Sequence, residues 1–266
     1  MTEAEALVAE GVTVSFGGVR ALRDVDVAFP AGHICGLIGP NGAGKTTLFD
    51  CLSGVRSVTA GRVRLFGEDI TDRSASWRAR HGVRRTFQRQ QAFAHLTVEE
   101  NLLVALEWRG GGGGLAGDAL RLPPRRRRER ARRERVDEAV ERSGLSGVRG
   151  ALAGTLPIAT ARVVELARAI VDPPRVLLLD EPTSGLDVSE TERLGHLVRE
   201  ACAEYRCTVV VVEHDVAFLM RHAAHIVVLD LGKVIAAGTP ADVRDDPLVR
   251  EAYLGVPERG RRMGIE

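Results

Sequence analysis

Lysine is almost absent from this sequence: of its 37 basic side chains only Lys45 and Lys233 are lysine, and the other 35 are arginine. A charge surplus is absent too, because 36 acidic residues bring the formal net charge to +1. That balance argues against a nucleic-acid binder working through bulk charge, which needs surplus cations to displace counterions from phosphates. Cysteine is scarce, with four residues and no C-x-x-C spacing. Neither a zinc site nor a disulfide framework is expected, and a reducing cytosol suits the chain. Long apolar runs are missing: the stretches at 176–179, 209–212 and 226–229 are far too short to span a bilayer. The first residues, MTEAEALVAEG, are acidic and lack the basic and apolar regions of a secretory leader.

What the chain does have is the composition of a folded globular protein, 44% hydrophobic and 27% charged over 266 residues. Short β-rich runs recur at 12–15, 25–29, 34–38, 62–66, 83–87, 176–180, 208–212, 226–229 and 234–236. The central ones are separated by stretches of helical periodicity, so the expected fold is an α/β sheet with crossover helices. VLLLD and TVVVV are apolar throughout, as parallel strands covered on both faces must be, and are expected at the sheet centre.

Residues from about 92 to 171 carry no strand pattern. Thr97 followed by Glu100 is a capping box that starts a helix through 101–106. The glycine run 110–114 breaks that helix, Pro123 and Pro124 precede a second at about 125–143, and a third, roughly 159–171, stops at Asp172-Pro173-Pro174. The expected organisation is one domain: an α/β core from 1–91 and 172–229, a helical subdomain at 92–171, and a C-terminal extension over 230–266. In that extension Thr239 and Pro240 start one short helix, and Asp246 and Pro247 another that ends at Gly255. Residues 125–135 hold eight arginines and two glutamates. With no aromatic residues interleaved, this reads as a solvated helix face on which Glu129 pairs with Arg133 and Arg130 with Glu134 rather than a nucleic-acid or lipid-headgroup patch.

The segment ICGLIGPNGAGKTTLFDCLSG contains G-x-x-x-x-G-K-T from Gly39 to Thr46, preceded by a strand and followed by a helix that Gly54 ends. Glycines there let successive backbone N–H groups turn inward as a nest, and a helix N-terminus adds partial positive charge. Lys45 is expected at the β and γ phosphates of a nucleoside triphosphate, and the Thr46 hydroxyl on Mg²⁺. Gly39, Pro40, Asn41, Gly42, Ala43, Gly44, Lys45, Thr46 and Thr47 are the expected nucleotide-binding residues. Further on, the run VLLLDE carries Asp180 and Glu181 to the C-terminal edge of a strand, where ligands of open α/β sheets bind. Asp180 is suited to hold Mg²⁺, and Glu181 to orient and deprotonate an attacking water.

With these motifs the chain resembles, over nearly its whole length, the ATP-binding subunits of ABC transporters. TFQ at 86–88, SGLD at 184–187 and VVEHD at 211–215 follow in that family's order. The resemblance implies a P-loop NTPase core of the RecA-like type, with an antiparallel β subdomain and an inserted α-helical subdomain. It also implies roles for single residues. Gln88 would sense Mg²⁺ and the attacking water, Asp187 would sit in the loop that crosses the dimer interface, and His214 would contact the γ-phosphate. Phe16, in VSFGG, matches the aromatic that stacks on adenine. The implied ligands are ATP and Mg²⁺. The implied partners are transmembrane permease subunits, a second ATP-binding subunit and, indirectly, a solute-binding protein, with the chain peripheral on the cytoplasmic face of the membrane and no nucleic acid involved. GVRRTFQ, LTVEENLLVA and RDDPLVREAYLG look most like the subfamily that energises uptake of branched-chain and other hydrophobic amino acids. The related ATPase of lipopolysaccharide export shares some of these traits, and a non-transport ATPase acting on nucleic acid or a subunit that binds ATP without hydrolysing it remain alternatives.

One departure stands out. Where the family reads L-S-G-G-Q, or in the amino-acid subfamily often L-P-Y-G-Q, this chain has Leu156-Pro157-Ile158-Ala159-Thr160. Ala159 puts a Cβ where backbone should approach phosphate, and Thr160 replaces the glutamine. The expectation is a heterodimer in which a partner's intact motif completes this chain's ATP site, while the partner's ATP faces the weakened one.

Overall fold

A computed structural model describes residues 4–86, 92–107 and 123–254. The chain divides into two compact units, one formed by 1–75 with 210–266 and the other by 76–209. The helical segment expected at 92–171 lies inside the second.

The first unit opens with β1 (Glu5–Phe16) and β2 (Val19–Pro30), an antiparallel hairpin turned at Gly17 and Gly18. Both strands run far beyond the apolar runs at 12–15 and 25–29. The sheet absorbs Gly11 as an irregularity between Ala9 and Val12, with Gly11 at a φ of 57°. β3 (Ile34–Ile38) is buried along its whole length and leads through the glycine loop into α1 (Lys45–Ser53). Gly54, left-handed at φ 77°, ends that helix and donates its N–H to the Cys51 carbonyl. β4 (Ala60–Leu65) and the two-residue β5 (Glu68–Asp69), too short to leave a sequence pattern, complete the antiparallel sheet in the order β2-β1-β4-β5.

The second unit begins at α2 (Ala75–Arg80) and β6 (Val83–Arg85). α3 (Val98–Ala105) carries the expected capping box, the Thr97 hydroxyl accepting from the Glu100 N–H while the Glu100 carboxylate accepts from the Thr97 N–H. Buried Asn101 knits the preceding loop by donating to the carbonyls of Phe93, Leu96 and Thr97 and accepting from the Phe93 N–H. α4 (Pro123–Arg142) shows both expected surface pairs, Arg130–Glu134 at 2.8 Å and Arg133–Glu129 at 3.1 Å. α5 (Ile158–Ile170) buries Ala161, Val164, Leu166 and Ala167, and β7 (Val176–Asp180) pairs in parallel with β6. α6 (Val188–Tyr205) follows, capped by Asp187.

β8 (Thr208–Val212) returns the chain to the first unit. There α7 (Val216–His222) is capped by Asp215 and packs Leu219 on Gly36 of β3. β9 (His225–Asp230) runs parallel to β3 and antiparallel to β10 (Lys233–Gly238). α8 (Pro240–Asp245) starts at the Thr239 cap, and α9 is Pro247–Leu254; the expected stop at Gly255 lies outside the described residues. Among the described residues no helix is long and apolar enough to cross a membrane, and all four cysteines are buried.

Candidate nucleotide site

At its two ends, Gly39 and Gly44, the phosphate loop is shaped by contacts that leave no room for a side chain. A Cβ on Gly39, whose φ is 153°, would stand 2.0 Å from the Leu229 carbonyl oxygen, and one on Gly44, at φ 105°, would stand 2.8 Å from that of Ala21. Glycine at both positions lets β3 end and α1 begin within one tight turn, closed by the Ala43 N–H donating to the Pro40 carbonyl at 3.1 Å. No side chain caps α1 at Gly44, so the helix presents its N-terminal dipole to whatever anion enters the loop. Lys45 is buried and folded back, its ammonium donating to the Gly39 and Pro40 carbonyls at 2.6 and 3.0 Å. This places the cation inside the loop it serves. Asn41, Gly42 and Thr46 are exposed, Pro40 and Thr47 half-buried and Ala43 buried.

A residue the sequence reading passed over buttresses this loop. Gly232, in the turn between β9 and β10, donates its N–H to the Ala43 carbonyl at 3.0 Å, and its own carbonyl accepts from the Arg23 N–H at 2.8 Å. It adopts a φ of 80°, and a Cβ there would meet the Ala21 oxygen at 2.6 Å. The signal available in sequence is the glycine of Leu231-Gly232-Lys233, between the β-rich runs at 226–229 and 234–236.

Two more expected residues lie in this unit. Phe16 ends β1 and is 44% exposed. His214 is exposed directly after β8, its backbone N–H donating to the buried Glu213 carboxylate at 3.2 Å, and Asp215 fixes the turn that follows by accepting from the Phe218 N–H.

The second unit holds the acidic pair. β7 delivers Asp180 buried, with one carboxylate oxygen 3.0 Å from the Arg85 guanidinium. The Asp180 N–H donates to the Thr86 hydroxyl at 3.3 Å, and the Thr86 N–H donates to the Leu178 carbonyl at 2.9 Å. Glu181 leaves the strand with a φ of 47°, a left-handed conformation unfavourable for a long side chain and held here by the tight turn in which the Ser184 N–H bonds the Glu181 carbonyl. Strain of this kind collects where a side chain must be aimed. Asp187 then caps α6; the Glu190 N–H and the Ser189 hydroxyl hold its carboxyl below the usual aspartate range. Gln88 lies outside the described residues.

The departure at 156–160 has a definite geometry. Pro157 precedes α5 with no side chain capping it, Ile158 is 54% exposed, and Ala159 and Thr160 are half-buried. Within α5, Glu165 is buried against Arg162 at 3.0 Å, and burial pushes the Arg168 guanidinium below its ordinary value despite the neighbouring Glu165 charge.

A glycine loop of this build, with a buried ammonium inside it and an uncapped helix N-terminus at its end, is equipped to hold a phosphate chain. The sequence pattern of the ABC transporter family matches residues 22–184, and that of the branched-chain amino acid ATP-binding cassette transporter C-terminus matches 233–259. The high-affinity branched-chain amino acid transport ATP-binding protein BraF of Pseudomonas aeruginosa is 41% identical over 245 residues, covering 92% of this chain and 96% of its own. The corresponding LivG protein of Escherichia coli K12 is 38% identical over 245 residues, with the same coverage of 92% and 96%. A crystal structure of an ATP-binding cassette of an ABC transporter in its ADP conformation superposes with a TM-score of 0.82 at 30% identity, over 95% of this chain and 99% of that one. The glycine loop, the strand-end carboxylates and the full-length similarity thus have one explanation: the chain belongs to the family of ATP-binding subunits of ABC transporters.

Proposed function

We propose that this chain energises the import of branched-chain amino acids. Membership of the family makes it an ATP-hydrolysing subunit that serves membrane permease partners. The observation that carries the substrate is the match of residues 233–259 to the branched-chain amino acid C-terminal pattern, in a chain 41% identical to BraF. That C-terminal pattern favours amino acids over lipopolysaccharide.

In this reading Lys45 leaves the loop carbonyls for the β and γ phosphates, and the backbone N–H groups of 41–47 line the phosphate chain. Phe16 stacks on adenine, and His214 contacts the γ-phosphate. Glu181 takes the proton of the attacking water, which Gln88 helps to orient. Thr46 and Asp180 offer a hydroxyl and a carboxylate, the hard oxygen donors that suit Mg²⁺. Bound there, Mg²⁺ supplies positive charge against the phosphate oxygens. ATP binding closes two subunits head to tail, hydrolysis reopens them, and the Gln88 segment with the helical subdomain at 92–171 passes that movement to the permease. The second subunit is a different ATP-binding chain with an intact phosphate-contacting motif, and a solute-binding protein selects the cargo outside the membrane.

The test is uptake of labelled leucine, isoleucine and valine by cells that carry either the wild-type chain or Glu181→Gln, together with identification of the chains that co-purify. Loss of uptake in the variant, with permease subunits and a second ATPase in the purified complex, is expected. Uptake indifferent to Glu181→Gln refutes the proposal.

A further inference from the structure

The exposed side chain of Phe16, in the first unit, carries a cation on its face. The guanidinium carbon of Arg56 lies 4.5 Å from the ring centroid, within the range at which a cation is drawn to the negative face of an aromatic ring. Arg56 is itself tethered. Its backbone N–H donates to the Asp50 carbonyl at 3.1 Å, and its Nε lies 3.8 Å from the Asp50 carboxylate. Asp50 belongs to α1, the helix that begins at Lys45. A continuous chain of contacts therefore runs from the phosphate-loop helix through Asp50 and Arg56 to the ring at the end of β1.

We propose that Arg56 is a positioning residue for the nucleobase: it covers one face of Phe16, fixes the ring plane, and leaves the opposite face as the platform on which adenine stacks. The inference rests on the reading of this unit as an ATP site and deepens it. An exposed phenylalanine free to turn would lose that freedom each time a base stacked on it. A ring already held by a guanidinium has lost it in advance, and preorganisation of this kind appears as affinity. The cation also draws on the ring's electron density from the far side, which favours an offset stack with an electron-rich purine. Because Asp50 holds Arg56, the platform keeps a fixed register with the phosphate loop. The base and phosphate ends of the nucleotide are therefore measured from the same helix.

The experiment is calorimetric titration of the full chain with ATP and, separately, with inorganic tripolyphosphate, which has phosphates and no base. Wild type, Arg56→Gln, Arg56→Lys, Phe16→Ala and the double variant Phe16→Ala/Arg56→Gln are compared. Arg56→Gln is expected to weaken ATP binding about three- to fivefold with tripolyphosphate unchanged. Arg56→Lys should recover part of the loss, and Arg56→Gln should add nothing in the Phe16→Ala background. Equal weakening of ATP and tripolyphosphate overturns the proposal, since Arg56 would then act on the phosphates. An effect additive with that of Phe16→Ala overturns it too, as does an Arg56→Gln variant that binds ATP like wild type. Failure of the wild-type chain to bind either ligand overturns the nucleotide-site reading and this inference with it, an outcome distinct from the other three.

Discussion

The Arg85 guanidinium lies 3.0 Å from the Asp180 carboxylate, with the two side chains only 7% and 6% exposed. The next residue, Thr86, accepts from the Asp180 N–H, so the end of β6 and the residue after it grip that aspartate at both its side chain and its backbone. A charge so enclosed cannot easily lose its partner, and truncating one member of a buried pair typically costs about 3–5 kcal/mol. Arg85→Met should therefore lower stability by roughly that amount, and Asp180→Asn should cost much less in the Arg85→Met background than in the wild type. Urea denaturation of the two single variants and the double variant measures the coupling; strict additivity would show that the pair contributes nothing as a pair.

The two lysines make a matched comparison. Lys45 donates to two carbonyls inside the loop, where a compact ammonium fits and a planar guanidinium does not. Lys233 is exposed at the start of β10. Lys45→Arg should abolish ATP hydrolysis, and Lys233→Arg should leave it within about twofold, as surface substitutions usually do. Phosphate-release assays on both variants decide the matter, and comparable activity in the two would undo the role given to Lys45.

Gly232 should behave as part of the nucleotide site although no motif includes it. An alanine there needs a left-handed backbone and drives a methyl to 2.6 Å from the Ala21 oxygen, in the turn whose N–H holds Ala43. Strain of about 1–3 kcal/mol is expected, felt as tenfold or greater loss of ATP affinity when the loop shifts to relieve it. A titration in which Gly232→Ala binds ATP like wild type would show that the loop stands without this support.

These cases separate what was legible in sequence from what was not. The phosphate loop, its strand and its helix could be read because the chemistry needs glycine, lysine and threonine at fixed spacing, and VLLLD and TVVVV because a buried strand must be apolar. Three capping boxes have the same local origin; the one at Thr97 is legible from Thr97 and Glu100, and at Thr239 the helix start is legible from Thr239 and Pro240. The grip of Arg85 on Asp180 and the contact of Gly232 with Ala43 were invisible because they join residues 95 and 189 positions apart, and arginine and glycine are common enough to have many innocent reasons to occur. β1 extends N-terminally past the apolar run at 12–15 for another reason: a sheet can absorb Gly11 as an irregularity, a choice made by its neighbours and not by the glycine.

Asp187 gives a prediction with a definite sign. Its carboxyl accepts from the Glu190 N–H and the Ser189 hydroxyl, which lowers its pKa below the ordinary 3.8. A group with a depressed folded-state value stabilises the fold above its unfolded value and loses that contribution as pH falls through the folded one. Asp187→Asn should melt below wild type at neutral pH, and the gap should close as pH drops under 3.8. Thermal melts from pH 7 downward test this, and a gap that stays constant would assign the stabilisation to geometry rather than charge.

The segment from 156 to 160 bears on how the chain assembles. α5 begins after Pro157 without a capping side chain, and Ala159 presents a methyl where the family pattern has glycine. If this end of α5 is what a partner's ATP meets, the methyl keeps backbone donors away from the γ-phosphate, and loss of one such donor typically costs about 3–4 kcal/mol of transition-state stabilisation. The chain alone, paired with itself, would then place that defect at both ATP sites and hydrolyse slowly. Beside a different subunit with an intact motif, its own ATP would be turned over normally. Ala159→Gly should accordingly raise the rate of the isolated chain by tenfold or more, about the size of a partly restored donor, and change the rate of the two-subunit complex much less. Full activity of the isolated chain, with no gain from Ala159→Gly, would mean that the methyl is harmless and that the chain needs no unlike partner.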